Sequence, residues 1–104
     1  MEKCKITVLK KMFNKELFEE YCSLNLSEHC HGCPDLNVGQ EFLVENHNKI
    51  PEGFCSWAWG DIQKDVTTIM FNGSFPWMKQ PGVAISSCSD GFMPVVFKIE
   101  KVNF

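Results

Sequence analysis

No stretch of this chain approaches the roughly 18 consecutive apolar residues of a membrane-spanning helix. Its opening residues, Met1-Glu2-Lys3-Cys4-Lys5, lead into a strand-like run rather than the apolar segment of a secretory signal. Basic clusters are also missing: cations are spread along the chain and the net charge is −3, so the electrostatic footprint of a nucleic-acid binder is lacking. There is no internal repeat, low-complexity tract or break in composition, so residues 1–104 read as a single domain. Cysteine, at six of 104 residues, falls below the roughly 8–10% that marks a small disulfide scaffold. A domain of this size, with 44% hydrophobic residues, buries about two-thirds of its unfolded surface without staples. The expectation is a cytoplasmic protein with no membrane and no nucleic-acid partner. In that reducing setting its cysteines are free thiols, metal thiolates or catalytic groups. An even cysteine count also permits a secreted disulfide protein whose leader has been processed.

Periodicity predicts the elements. Cys4, Ile6 and Val8 alternate with lysines and Thr7, a half-buried strand. Asn14 is placed to cap a short helix over Lys15 to Cys22, with Leu17, Phe18, Tyr21 and Cys22 on its inner side and Glu16, Glu19 and Glu20 in water. Ser23 to Gly39 has no sustained period and contains Gly32, Pro34 and Gly39, so it reads as an irregular loop. Glu41 to Glu45 reads as a second strand. Ser56 to Phe71 reads as the main helix, with Trp59, Ile62, Val66 and Ile69 inward and Asp61, Lys64 and Asp65 outward, Ser56 as N-cap and Asn72-Gly73 as stop. Val83 to Ser89 and Pro94 to Val102 form a hairpin through Asp90-Gly91, with Val95, Phe97 and Ile99 on one face. Strands around two helices without a strand-helix-strand rhythm imply an α+β fold, a mostly antiparallel sheet of about four strands.

What the chain does have is sulfur in suggestive places. Cys30 and Cys33 form a Cys-x-x-Cys pair inside His29-Cys30-His31-Gly32-Cys33-Pro34, a spacing that holds two thiols for one metal ion, an iron–sulfur cluster or a short-loop disulfide. Cys55 directly precedes the main helix, near its positive end, where thiolate charge is favoured. Cys88 ends a strand. These four lie at element edges, where sites form more readily than in strand centres. Soft sulfur ligands select zinc, copper(I) or iron–sulfur chemistry over magnesium or calcium, and His29 or His31 is placed to replace one thiolate. Cys4 and Cys22, on apolar faces, read as small core hydrophobes, and His47 as a solvated side chain.

Two other function classes compete. A thiol-disulfide redox protein would use Cys30 and Cys33 as attacking and resolving thiols, although no helical pattern follows Pro34 as such motifs usually require. A binding module would use the apolar loop Ser74-Phe75-Pro76-Trp77-Met78 as a lid gripping a small molecule or protein partner. Trp57, Trp59 and Trp77 read as core fillers, and Asp61 with Asp65 as the wet face of a helix rather than a catalytic carboxylate pair.

The segments Pro51-Glu52-Gly53-Phe54-Cys55-Ser56-Trp57-Ala58-Trp59, Phe71-Asn72-Gly73-Ser74-Phe75-Pro76-Trp77-Met78, Cys88-Ser89-Asp90-Gly91 and Pro94-Val95-Val96-Phe97-Lys98-Ile99-Glu100 resemble a family of small cysteine-containing prokaryotic proteins of unassigned function. The resemblance spans nearly the whole chain. It implies a cytoplasmic prokaryotic protein of a kind frequent in anaerobes, with cysteine carried at Cys33, Cys55 and Cys88. His29-Cys30-His31-Gly32 departs from the pattern, which favours three shared thiolates with Cys30 or a neighbouring histidine as fourth ligand. The expected function is therefore the binding of zinc or an iron–sulfur cluster through Cys33, Cys55, Cys88 and Cys30.

Overall fold

The computed structural model describes residues 3–23, 36–45 and 48–102. Six elements follow in order: strand β1 (Lys3–Lys11), helix α1 (Lys15–Tyr21), strand β2 (Glu41–Val44), helix α2 (Ser56–Met70), strand β3 (Val83–Ser87) and strand β4 (Val95–Val102). The strands form one antiparallel sheet in the order β2-β1-β4-β3, so the α+β architecture expected from periodicity is the one observed.

Alternation decides which side of the sheet is buried. Cys4, Ile6 and Val8 of β1, Phe42 and Val44 of β2, Ala84 of β3, and Val95, Phe97 and Ile99 of β4 all point to one face, as a side-chain period of two requires. Helix α2, about 22 Å long, lays Ala58, Ile62, Val66, Ile69 and Met70 on that face to complete the core. The opposite face carries Lys3–Glu45, Lys5–Glu41 and Lys98–Glu100 ion pairs at 3.3, 3.3 and 3.1 Å. The first two join β1 to the β2 segment and the third lies along β4; opposite charges side by side suit a solvated sheet face.

Phe54 is the aromatic hinge between helix and sheet. It packs edge-on to Phe42 at 4.9 Å, against Phe97 at 5.4 Å and edge-on to Trp59 at 6.1 Å. One ring thereby joins β2, β4 and α2, each contact contributing about 0.5–1.5 kcal/mol beyond its buried area.

The long β1 register breaks once, between Val8 and Lys10. Here Val8 turns its backbone to the Gly39–Gln40 segment, receiving a bond from Gly39 N–H at 2.7 Å and donating to Gln40 O at 2.9 Å. Beyond this bulge the chain continues beside β4, with Met12 N–H donating to Pro94 O and Asn14 N–H to Phe92 O. Asn14 does not cap α1 with its side chain; its Nδ2 instead donates to Gly91 O at 2.6 Å. The tertiary bond replaces the local one.

Three expectations are corrected. Of the four residues assigned to the inner side of α1, only Phe18 is buried, between Phe13 and Phe92 at 5.6 Å each; Leu17 and Tyr21 are exposed and Cys22 is half-buried beyond the helix end. A helix of two turns that buries one side chain among the described residues is too short for its inner stripe to be read from period alone. The N-cap of α2 is Cys55, not Ser56. Trp57 and Trp77 are not core: they are 84% and 75% exposed, and only Trp59 packs on the core cluster.

The stop at Asn72-Gly73 holds in detail. Asn72 adopts φ 70°, its N–H donates to Ile69 O at 3.3 Å, and Gly73 N–H donates to Thr68 O at 2.7 Å, the paired bonds of a Schellman ending. Lys101 Nζ adds a bond to Met70 O, placing a cation at the negative end of the helix. A Cβ on Gly73 would lie 2.6 Å from Thr68 Cγ2 and 2.7 Å from Thr68 O. Gly73→Ala is therefore expected to destabilise the protein by about 1–3 kcal/mol, read from the midpoint of urea unfolding, whereas Asn72→Gly should leave stability unchanged or slightly raised.

Candidate functional site

Two of the four sequence-selected ligands, Cys55 and Cys88, fall among the described residues; Cys30 and Cys33, with His29, His31 and His47, lie outside them. Cys55 and Cys88 are free, half-buried thiols packed against the same hydrophobic cluster. Their positions have separate structural causes.

Cys55 takes its place from its neighbours on both sides. Phe54 is wedged among Phe42, Phe97 and Trp59, and Cys55 O accepts the first intrahelical bond from Trp59 N–H at 2.9 Å. The side chain makes no capping bond, which leaves its sulfur uncommitted at the end of the helix where unpaired N–H groups and the positive dipole end lie.

Cys88 extends the β3–β4 ladder by one residue, but in an unusual way. Its N–H donates to Val95 O at 3.0 Å, the normal half of a hydrogen-bonded antiparallel pair. The return bond from Val95 N–H goes to Cys88 Sγ at 3.2 Å. Sulfur has taken an acceptor position that backbone carbonyl usually fills. A backbone N–H directed at sulfur is also the contact that supports a metal-bound thiolate, because charge on the acceptor strengthens the bond.

The hairpin that carries Cys88 is held from two sides. Towards α2, Ser89 N–H donates to Asp61 Oδ2 at 2.8 Å and Ser89 Oγ lies 3.0 Å from both carboxylate oxygens. Towards α1, Asn14 binds Gly91 O and Phe18 meets the ring of Phe92. Inside the turn, Phe92 N–H donates to Asp90 Oδ1 at 2.9 Å, an Asx-type closure. Asp61, expected only as part of a wet helix face, is thus a tether for the segment bearing Cys88. Nothing in helical periodicity marks it, since its partner is 28 residues away.

Cys4 behaves as expected of a core residue. It is fully buried, and burial first, with the negative charge of Glu100 second, pushes its thiol up from the ordinary 9.0 to about 12. Among the described residues, no group of three or more His, Cys, Asp or Glu side chains comes together in a metal-binding arrangement, so Cys55 and Cys88 supply at most two ligands of any centre.

The loop between α2 and β3 shows a second feature. Phe75 packs on the core cluster, and Trp77 stacks over it at 5.0 Å and 24° while remaining mostly in solvent. Of the expected lid, Phe75 is the residue that packs on the core cluster, and Ser74 Oγ accepts a bond from Gly82 N–H at 3.2 Å. Among the described residues no helix is long and apolar enough to cross a membrane. No protein-family model, curated protein or solved structure matches the chain.

Two outcomes follow from this geometry. Because the Cys4 thiol ionises more readily unfolded than folded, its contribution to stability is fully present below pH 9 and is lost as pH rises from about 9 to about 12. Denaturant unfolding as a function of pH should show stability falling by about 1.4 kcal/mol per pH unit at most, a slope that Cys4→Ala removes. Asp61→Ala should cost about 1–2 kcal/mol through its lost bonds to Ser89 and speed alkylation of Cys88 relative to Cys55, measured by mass spectrometry of the labelled thiols.

Proposed function

We propose that the protein binds a soft metal ion, zinc, or an iron–sulfur cluster through Cys33, Cys55 and Cys88, with Cys30 or an adjacent histidine as the fourth ligand. The observation that carries this reading is the pair Cys55 and Cys88. Both are unbridged, among the described residues neither thiol bonds a side chain, and one receives a backbone N–H on sulfur. Ligands far apart in sequence convert binding energy into a defined geometry, and Cys55 and Cys88 sit at the ends of elements that pack on one core. The Cys-x-x-Cys segment supplies the remaining thiolates from sequence. Thiolate ligation of this kind belongs in a reducing compartment, consistent with a cytoplasmic protein of prokaryotic type.

A second reading is favoured by Trp77. An indole stacked on an anchored ring, with most of its surface in water, suits a planar small molecule or an apolar side chain of a protein partner at the Phe75, Trp77 and Met78 loop. The two readings separate experimentally.

Protein purified without oxygen should carry stoichiometric zinc or iron by elemental analysis, with sulfur-to-metal absorption bands if a cluster is present. Cys55→Ser and Cys88→Ser should each lose the metal while circular dichroism shows the fold retained, and Trp77→Ala and Cys4→Ala should keep it. Full metal content in both serine variants would overturn the proposal.

A further inference from the structure

The two edges of the sheet are built differently. Strand β2 is bordered by Glu41 and Glu45, which pair with Lys5 and Lys3; charged side chains of this kind guard an edge against further pairing. Strand β3, at the other edge, reads Val83-Ala84-Ile85-Ser86-Ser87 and has neither charge nor proline. Among the described residues no strand lies beyond it.

The register shows which groups that edge presents. Cys88 N–H bonds Val95 O, and Lys101 N–H bonds Gly82 O, so residues 82 and 88 stand in hydrogen-bonded pairs with β4. Alternation along an antiparallel ladder then assigns Ala84 and Ser86 to bonds with β4. It leaves the N–H and C=O groups of Val83, Ile85 and Ser87 pointing away from the sheet. The Ile85 side chain, 49% exposed, stands on the outer face beside Lys98.

We propose that this edge pairs with the β3 edge of a second copy of the chain, antiparallel about a two-fold axis through Ile85, to give a continuous eight-stranded sheet. The register is self-complementary. Ile85 faces Ile85 of the second copy and Val83 faces Ser87, so the three residues with outward backbone groups on one strand meet the same three on the other. Every such N–H finds a C=O. No charges are brought face to face, because β3 has none and the outer face of its neighbour β4 contributes one of each sign, Lys98 and Glu100, one strand back. An unguarded edge with this register suits a copy of itself better than an arbitrary extended peptide, whose side chains would meet no specificity pocket. Five residues bury a contact at the low end of specific interfaces, so the dimer is weak and concentration-dependent.

Sedimentation velocity from low micromolar to submillimolar concentration, on the full chain, tests this. A monomer–dimer equilibrium is expected, and Ile85→Glu should weaken it about tenfold or more by setting two carboxylates across the axis, while in the monomer the new side chain gains Lys98 as a cross-strand partner. Mixing Ile85→Glu with Ile85→Lys should restore association, since only a two-fold axis at this residue opposes the two substitutions. Amide exchange supplies the second readout: Val83, Ile85 and Ser87 gain protection with concentration, whereas Ala84 and Ser86 are protected throughout. Three results overturn the proposal: a monomer at every concentration, a dimer indifferent to both charges, or outward amides already protected in the monomer, which would mean the edge is covered from within the chain.

Discussion

The seating of Phe54 against Phe42, Phe97 and Trp59 is the contact from which the rest of the arrangement follows. A helix can slide and roll over a flat apolar sheet at small cost unless some side chain fixes its register, because dispersion contacts are individually weak and interchangeable. Phe54 does this from just outside the helix. By engaging β2, β4 and the first full turn of α2 together, it determines where α2 begins and therefore where Cys55 stands.

The far end of α2 is fixed by a different kind of force. There the free carbonyls are answered by backbone N–H groups of Asn72 and Gly73 and by the ammonium group of Lys101. With one end pinned by aromatic packing and the other by polar capping, the middle of the helix presents Asp61 to Ser89 at a definite distance. The position of Cys88 is a consequence of that chain: a sheet ladder brings it to β4, and a carboxylate on the helix holds the next residue down. Both cysteines thus stand on rigid supports, Cys55 at the start of α2 and Cys88 at the end of the β3–β4 ladder.

The contrast between the two faces of the sheet has a similar logic. The inner face is closed by α2 and consists of hydrocarbon and aromatic rings, while the outer face is laced with lysine–glutamate pairs. Such pairs contribute modestly to stability in water and keep the outer surface from acting as an apolar patch, while register is set by the alternation that puts the apolar residues on the inner face. Only the last strand, β3, is outside this scheme.

Much of the framework was legible in residue order. The alternation in Cys4-Lys5-Ile6-Thr7-Val8, the spacing of Ile62, Val66 and Ile69, and the Asn72-Gly73 ending each reflect forces acting between near neighbours or between a segment and an averaged core, so they can be read without knowing which segment lies opposite. The burial of Cys4 belongs to the same class. What only the tertiary structure decided were pairings between remote groups: Asn14 leaving its helix for Gly91, Asp61 taking Ser89, Val95 N–H turning to sulfur, and Trp57 and Trp77 standing in water while Phe54 fills the space between helix and sheet. Composition and period establish that a residue is apolar or polar and, in the longer elements, which way it faces. They carry no information about which distant partner shares its place, because that is set by the geometry of packed elements and not by any property of the residue alone.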